Sequence, residues 1–147
     1  MKRFRYPLES LMRLKKARLE NELAKIEQIA AGISLIEERR LALGKESQSA
    51  SLAVAAAASV DGWQLSALNR FHRYALEENH RLVEARLKSR ERLEAQRRMV
   101  VEAHKQVRIL EVLKEKRLAN WRAEADKEQE QLVSELVIAQ WNARRSN

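Results

Sequence analysis

Only one proline, Pro7, and three glycines, Gly32, Gly44 and Gly62, interrupt a chain of 147 residues. In a helix interior proline costs about 3 kcal/mol and glycine about 1 kcal/mol, so long stretches here carry nothing that breaks a helix. The serious breakers sit at the start and near the middle, which predicts an all-α fold of two long helices joined by one reversal. With 34% charged, 5% aromatic and 45% hydrophobic residues, the composition is that of a coiled coil rather than of a thick core around an enclosed active site. One structural unit over residues 1–147, a long antiparallel two-helix coiled-coil hairpin, accounts for this.

The boundaries follow from local signals. Pro7 suits a first helical position, where its missing donor would be unpaired anyway, so helix 1 is predicted over about residues 7–44, with an extension to 58 left open by the Ala-rich stretch that follows. The connector is placed within 44–62. Asp61, with Gln64 three residues on, forms a capping-box pattern, and helix 2 is predicted over about 63–143. Spaced alternately by four and three, Leu8, Met12, Lys15, Leu19, Glu22, Ile26, Ile29, Ile33, Ile36, Arg40 and Leu43 form one seam. Leu65, Leu68, His72, Ala75, Asn79, Leu82, Arg86, Ser89, Leu93, Gln96, Val100, Ala103, Val107 and Leu110 form the other, more polar one. Beyond Leu110 the spacing passes to Lys114, Leu118, Trp121 and Ala125, a step that relaxes a left-handed supercoil. Helix 2 is the longer, so one of its ends is expected to overhang or bend.

Charge and chemistry narrow the function. The net charge is +8, with bases concentrated in residues 2–18 and 86–122 and acids in 124–135. Glu77 with Arg81, Glu84 with Lys88, and Glu94 with Arg98 stand four apart with the acid first, the orientation that supports a helix. There are no cysteines, which excludes disulfides, thiolate metal sites and a cysteine nucleophile. His72, His80 and His104 read as seam or surface residues rather than ligands. No phosphate loop, metal cluster or catalytic triad is legible, so no catalytic, cofactor-binding or metal-binding residues are assigned, and a non-enzymatic protein is expected. The longest apolar run, residues 52–58, is far short of the roughly 20 residues of a membrane span. The basic start lacks the apolar core of a secretory signal and is not read as one, and the chain is expected to be soluble by itself. Basic clusters such as Arg13–Arg18 and Arg86–Arg90 suit nucleic-acid phosphates, but acids interleave with them and no row of stacking aromatics accompanies them. No specific nucleic acid is assigned.

The stretches from Phe4 to Lys15 and from Val107 to Glu135 together resemble the FliJ family, the small coiled-coil component of the bacterial flagellar type III export apparatus. One is Phe4-Arg5-Tyr6-Pro7-Leu8-Glu9-Ser10-Leu11-Met12-Arg13-Leu14-Lys15, similar to the family's basic, aromatic start and Leu-rich first turn. The other is Val107-Arg108-Ile109-Leu110-Glu111-Val112-Leu113-Lys114-Glu115-Lys116-Arg117, followed by Trp121 and by Glu128-Gln129-Glu130-Gln131-Leu132-Val133-Ser134-Glu135. Ser134 stands where the family usually has Asp, and Trp121 where Tyr is common. The resemblance implies a hairpin similar to the central stalk of rotary ATPases. Its paired ends would enter the ring of a FliI-like export ATPase, and its opposite end would reach a FlhA-like export gate at the cytoplasmic face of the inner membrane. Escort of export chaperones is also implied.

On that reading Arg3, Arg5, Arg13 and Lys16, with Lys2 beside them, and the block residues Lys114 and Arg117 are candidate ATPase-ring contacts. Leu68, Phe71, Tyr74 and Ala75 are candidate export-gate contacts, near Trp63 in a chain poor in aromatics. The alternatives are a generic coiled-coil adaptor or a basic helical nucleic-acid-binding protein.

Overall fold

Residues 3–6 are irregular, and Pro7, which has no N–H to give, sets the turn that starts the first helix. In a computed structural model that describes residues 3–145, residues 7 and 8 form this turn. The Glu9 N–H donates to the Tyr6 carbonyl at 3.2 Å, and the Met12 N–H to that of Leu8 at 2.9 Å. Helix α1 then runs Glu9–Ala55 and helix α2 Gly62–Arg145, of 47 and 84 residues. The two long helices pack against each other, and no strand occurs among the described residues. Lys2 lies outside those residues.

Gly32 and Gly44 lie inside α1, where neither has a positive φ. Helix α1 continues through the polar and alanine-rich stretch after Gly44, since alanine is the best helix former. The reversal occupies residues 56–61. At its start the Ala57 N–H donates to Val54 at 3.3 Å, a tightened last turn. At its close the Gln64 amide oxygen accepts the Asp61 N–H at 3.1 Å, one arm of the capping box.

The chain divides into two units, the first running up to Leu19 and resuming at Glu102, the second being Glu20–Val101. Each helix contributes a stretch to both. In α1 and the turn before it every seam position from Leu8 to Leu43 is buried or half-buried, and in α2 so is every one from Leu68 to Ala125. Leu65 departs from the expected seam: it is exposed, because the first turn of α2 lies beside the connector, past the end of α1.

The first unit has its core in Tyr6, Met12 and Leu110, with Phe4 and Leu8 packed against them. The Tyr6 hydroxyl donates to the Leu110 carbonyl at 2.9 Å, so the buried phenol is satisfied. Lys15 donates to the Gln106 side chain at 2.9 Å. After Ala125 every described residue of α2 is exposed.

The second unit is held by small apolar and polar seam residues. Leu43 and Ala75 are buried, and so is Glu22, whose carboxylate and backbone carbonyl both accept from the Gln96 amide. The other carboxylate oxygen takes Lys25 at 3.0 Å. Arg40 donates to Asn79 at 3.0 Å, and Ser51 lies 3.0 Å from the His72 ring. Both pairs, like Glu22 with Gln96, run antiparallel: as the α1 number rises, its α2 partner's falls.

Along α2 the acids do not take the four-apart partners expected of them. Glu94 holds Arg97 at 2.6 Å, Glu84 holds His80 at 3.4 Å, and Arg81 approaches Glu78 at 3.9 Å rather than Glu77. Residues three and four apart are both neighbours on a helix, and the few tenths of a kcal/mol between them do not fix the choice.

Candidate functional site

The first candidate surface lies in the first unit, where the irregular start of the chain is clasped onto α2. The backbone before Pro7 carries Phe4 and Tyr6 two residues apart, and both reach α2. Phe4 meets Trp121 with ring centroids 6.0 Å apart and planes tilted by 56°, an oblique contact within the distance range of aromatic pairs. Lys114 Nζ stands 5.9 Å and the Arg117 guanidinium carbon 6.0 Å from the Tyr6 ring centre, at the outer edge of cation–π range.

Charge pairs close the clasp. Lys114 donates to Glu9 at 2.8 Å, and Lys16 pairs with Glu111 at 3.2 Å. The hydrogen bond from Lys114 holds the Glu9 carboxyl below its ordinary value of 4.5, against a smaller desolvation that raises it, with the charges of Lys114, Arg13 and Lys16 adding to the lowering.

The six basic candidates therefore separate into two groups. Arg3, Arg5 and Arg13 are exposed. Lys16, Lys114 and Arg117 face partners within the chain, and Lys114 is half-buried. The second group shapes the surface that the first group decorates.

The second candidate surface lies in the second unit beside the connector. Phe71 and Tyr74, three apart on α2, have ring centroids 6.3 Å apart. Leu68 and Phe71 are half-buried, and Tyr74 is exposed. With Ala53, Val54, Ala57 and Trp63 the first two line a shallow apolar groove, and Trp63 is 75% exposed. Ala75 does not belong to this surface. It is buried in the seam, as its place in the ladder requires.

His72 is engaged by Ser51, and His80 by Glu84. No cluster of three or more His, Asp or Glu residues able to hold a metal occurs among the described residues, and no described helix is long and apolar enough to cross a membrane.

Reasoning from the sequence missed the clasp itself. In the sequence Phe4, Tyr6 and Trp121 are legible as motif residues, and no local spacing pairs them. The available signal was that three of the chain's seven aromatics fall on the two stretches that antiparallel helices bring together. Compared with family models, with curated proteins and with solved structures, the chain matches none.

Proposed function

We propose that this protein is a non-enzymatic stalk of a bacterial flagellar type III export apparatus, acting in the cytoplasm at the inner-membrane face. The clasped surface docks into the ring of a FliI-like export ATPase, and the aromatic surface beside the connector meets a FlhA-like export gate. Escort of export chaperones is part of the same proposal.

One observation supports the reading above the others. Residues 4–15 and the 107–121 part of the second stretch that carries the FliJ resemblance are joined in one unit by Tyr6 on Leu110, Phe4 on Trp121 and Lys114 on Glu9, while the 128–135 part lies outside the joint. Around that joint Arg3, Arg5 and Arg13 remain exposed for an acidic partner. Rim charges of this kind steer association and give loose, salt-sensitive contact.

The test is stimulation of the purified export ATPase by the full chain. Arg3→Glu, Arg5→Glu and Arg13→Glu together should lower stimulation by up to about a hundredfold with helix content unchanged, as follows when three rim charges of up to about 1 kcal/mol each are reversed. Lys114→Glu is the poorer variant, since it also breaks the clasp. Unchanged stimulation in the triple variant removes the ring surface. Recovery of nucleic acid alone from a flagellated-cell lysate would favour the nucleic-acid reading instead.

A further inference from the structure

Helix α2 keeps its seam after α1 has nothing left to place against it. Ala125, the last buried position, is followed at the same four-three spacing by Gln129, Leu132, Leu136, Ala139 and Ala143. Leu132 is 59% exposed and Leu136 64%. Val133, also exposed, flanks this face. A helix with an unburied apolar stripe is stable in water only at the margin, because most helical stability comes from packing such a face. An exposed apolar strip of this length marks an interaction site.

We infer that this strip, residues 126–145, pairs with the same strip of a second copy of the chain in antiparallel orientation. Two observations select that occupant. The strip continues the seam on which the chain already packs a helix, so its spacing is built for another helix rather than for a flat surface. Its charges are also divided along its length. Asp126, Glu128, Glu130 and Glu135 occupy the first half, offset only by Lys127, while Arg144 and Arg145 end it.

In a parallel pair acids face acids and arginines face arginines. In an antiparallel pair each Arg144–Arg145 end lies beside the partner's acidic half. A two-fold axis near Leu136 generates both contacts at once, which is the self-complementarity an isologous dimer requires. The strip is about 30 Å long and about 10 Å wide, so the interface lies at the small end of specific contacts and assembles reversibly with concentration. The inference does not rest on the export reading, because it uses only residues of the α2 tail.

The experiment is sedimentation equilibrium of the full chain over a concentration series. The expected result is a mass rising from one 17.1 kDa chain toward two. Leu132→Lys with Leu136→Lys should hold the chain at monomer mass with an unchanged helix signal near the clasp, since both positions are exposed. Arg144→Glu with Arg145→Glu should weaken self-association about fourfold or more, since the two-fold axis places the substitutions at both ends of the interface and removes four exposed ion pairs.

Orientation is read by disulfide trapping, which the absence of native cysteine makes clean. When Glu128→Cys and Arg144→Cys chains are mixed, the antiparallel pair gives the mixed disulfide in excess over either same-residue one. A monomer at every concentration overturns the proposal. So does a dimer that survives the double lysine variant, or a predominance of same-residue disulfides.

Discussion

Tyr6 shows how single residues hold this protein together. Its hydroxyl reaches a helix carbonyl that already serves α2, so the bond is an added one, and its ring sits between Met12, Leu110 and two cations. Tyr6→Phe should lower stability by about 0.5–1.5 kcal/mol in chemical denaturation, the ordinary net value of one hydrogen bond, whereas Tyr6→Ala should cost several times more by emptying the core. Glu9 supplies a pH signature. Because its folded carboxyl is held below 4.5, its stabilising contribution is complete above that value and is lost as the pH falls through the lower, folded value. Melting curves of the native chain and Glu9→Gln should therefore converge below pH 4.5 and separate above it, with the native chain the more stable. Gln96 carries a different kind of weight, since it serves a buried carboxylate. Gln96→Leu should cost about 1–3 kcal/mol, as expected when a buried acceptor loses its donor.

At the level of the helices, α1 contains two residues that weaken it without visible return. Gly32 and Gly44 have ordinary helical φ, and a Cβ built at either meets nothing within 4 Å. Gly32→Ala and Gly44→Ala should each stabilise the protein by about 0.5–1 kcal/mol, additively because the sites are three turns apart, as measured by midpoint shifts in urea. The helices are also where the sequence was most legible. The four-three ladder identified the buried face of α1 from Leu8 to Leu43 even where it ran through Lys15, Glu22 and Arg40, since spacing decides which face is covered and chemistry decides only how well. The extent of α1 past Gly44 was less legible, because a lone glycine and a run of alanines permit both helix and turn. Ala75 stands on the ladder beside a cluster of aromatics, and the period rather than those neighbours decides its burial.

Across the whole chain, order does not rest on a thick interior. No side chain among the described residues is fully sequestered from solvent, and the core members are spread thinly along the helices. Amide exchange should therefore be graded rather than uniform. Protection should be greatest around Ala103–Leu110 and Met12, and lowest in residues 126–145, where helix exists without burial. Comparable protection in the tail of a dilute sample would contradict this ordering. The clasp of the first unit is legible only in part for a physical reason: it joins residues about a hundred positions apart, and no local period encodes which rings and hydroxyls meet.

The polar residues inside the seams also determine which motions the helices are permitted. Apolar knobs are interchangeable, and a smooth apolar seam lets one helix ratchet past another by a turn, about 5.4 Å, at modest cost. Here Lys15 is keyed to Gln106 in one unit, and Glu22 to Gln96 and Arg40 to Asn79 in the other. A slide of one turn would part every one of these keys in its unit at once and leave Glu22 buried beside an apolar neighbour. Any mechanical signal carried along these helices must therefore travel as bending or twisting of the pair, with the teeth of the zipper staying engaged.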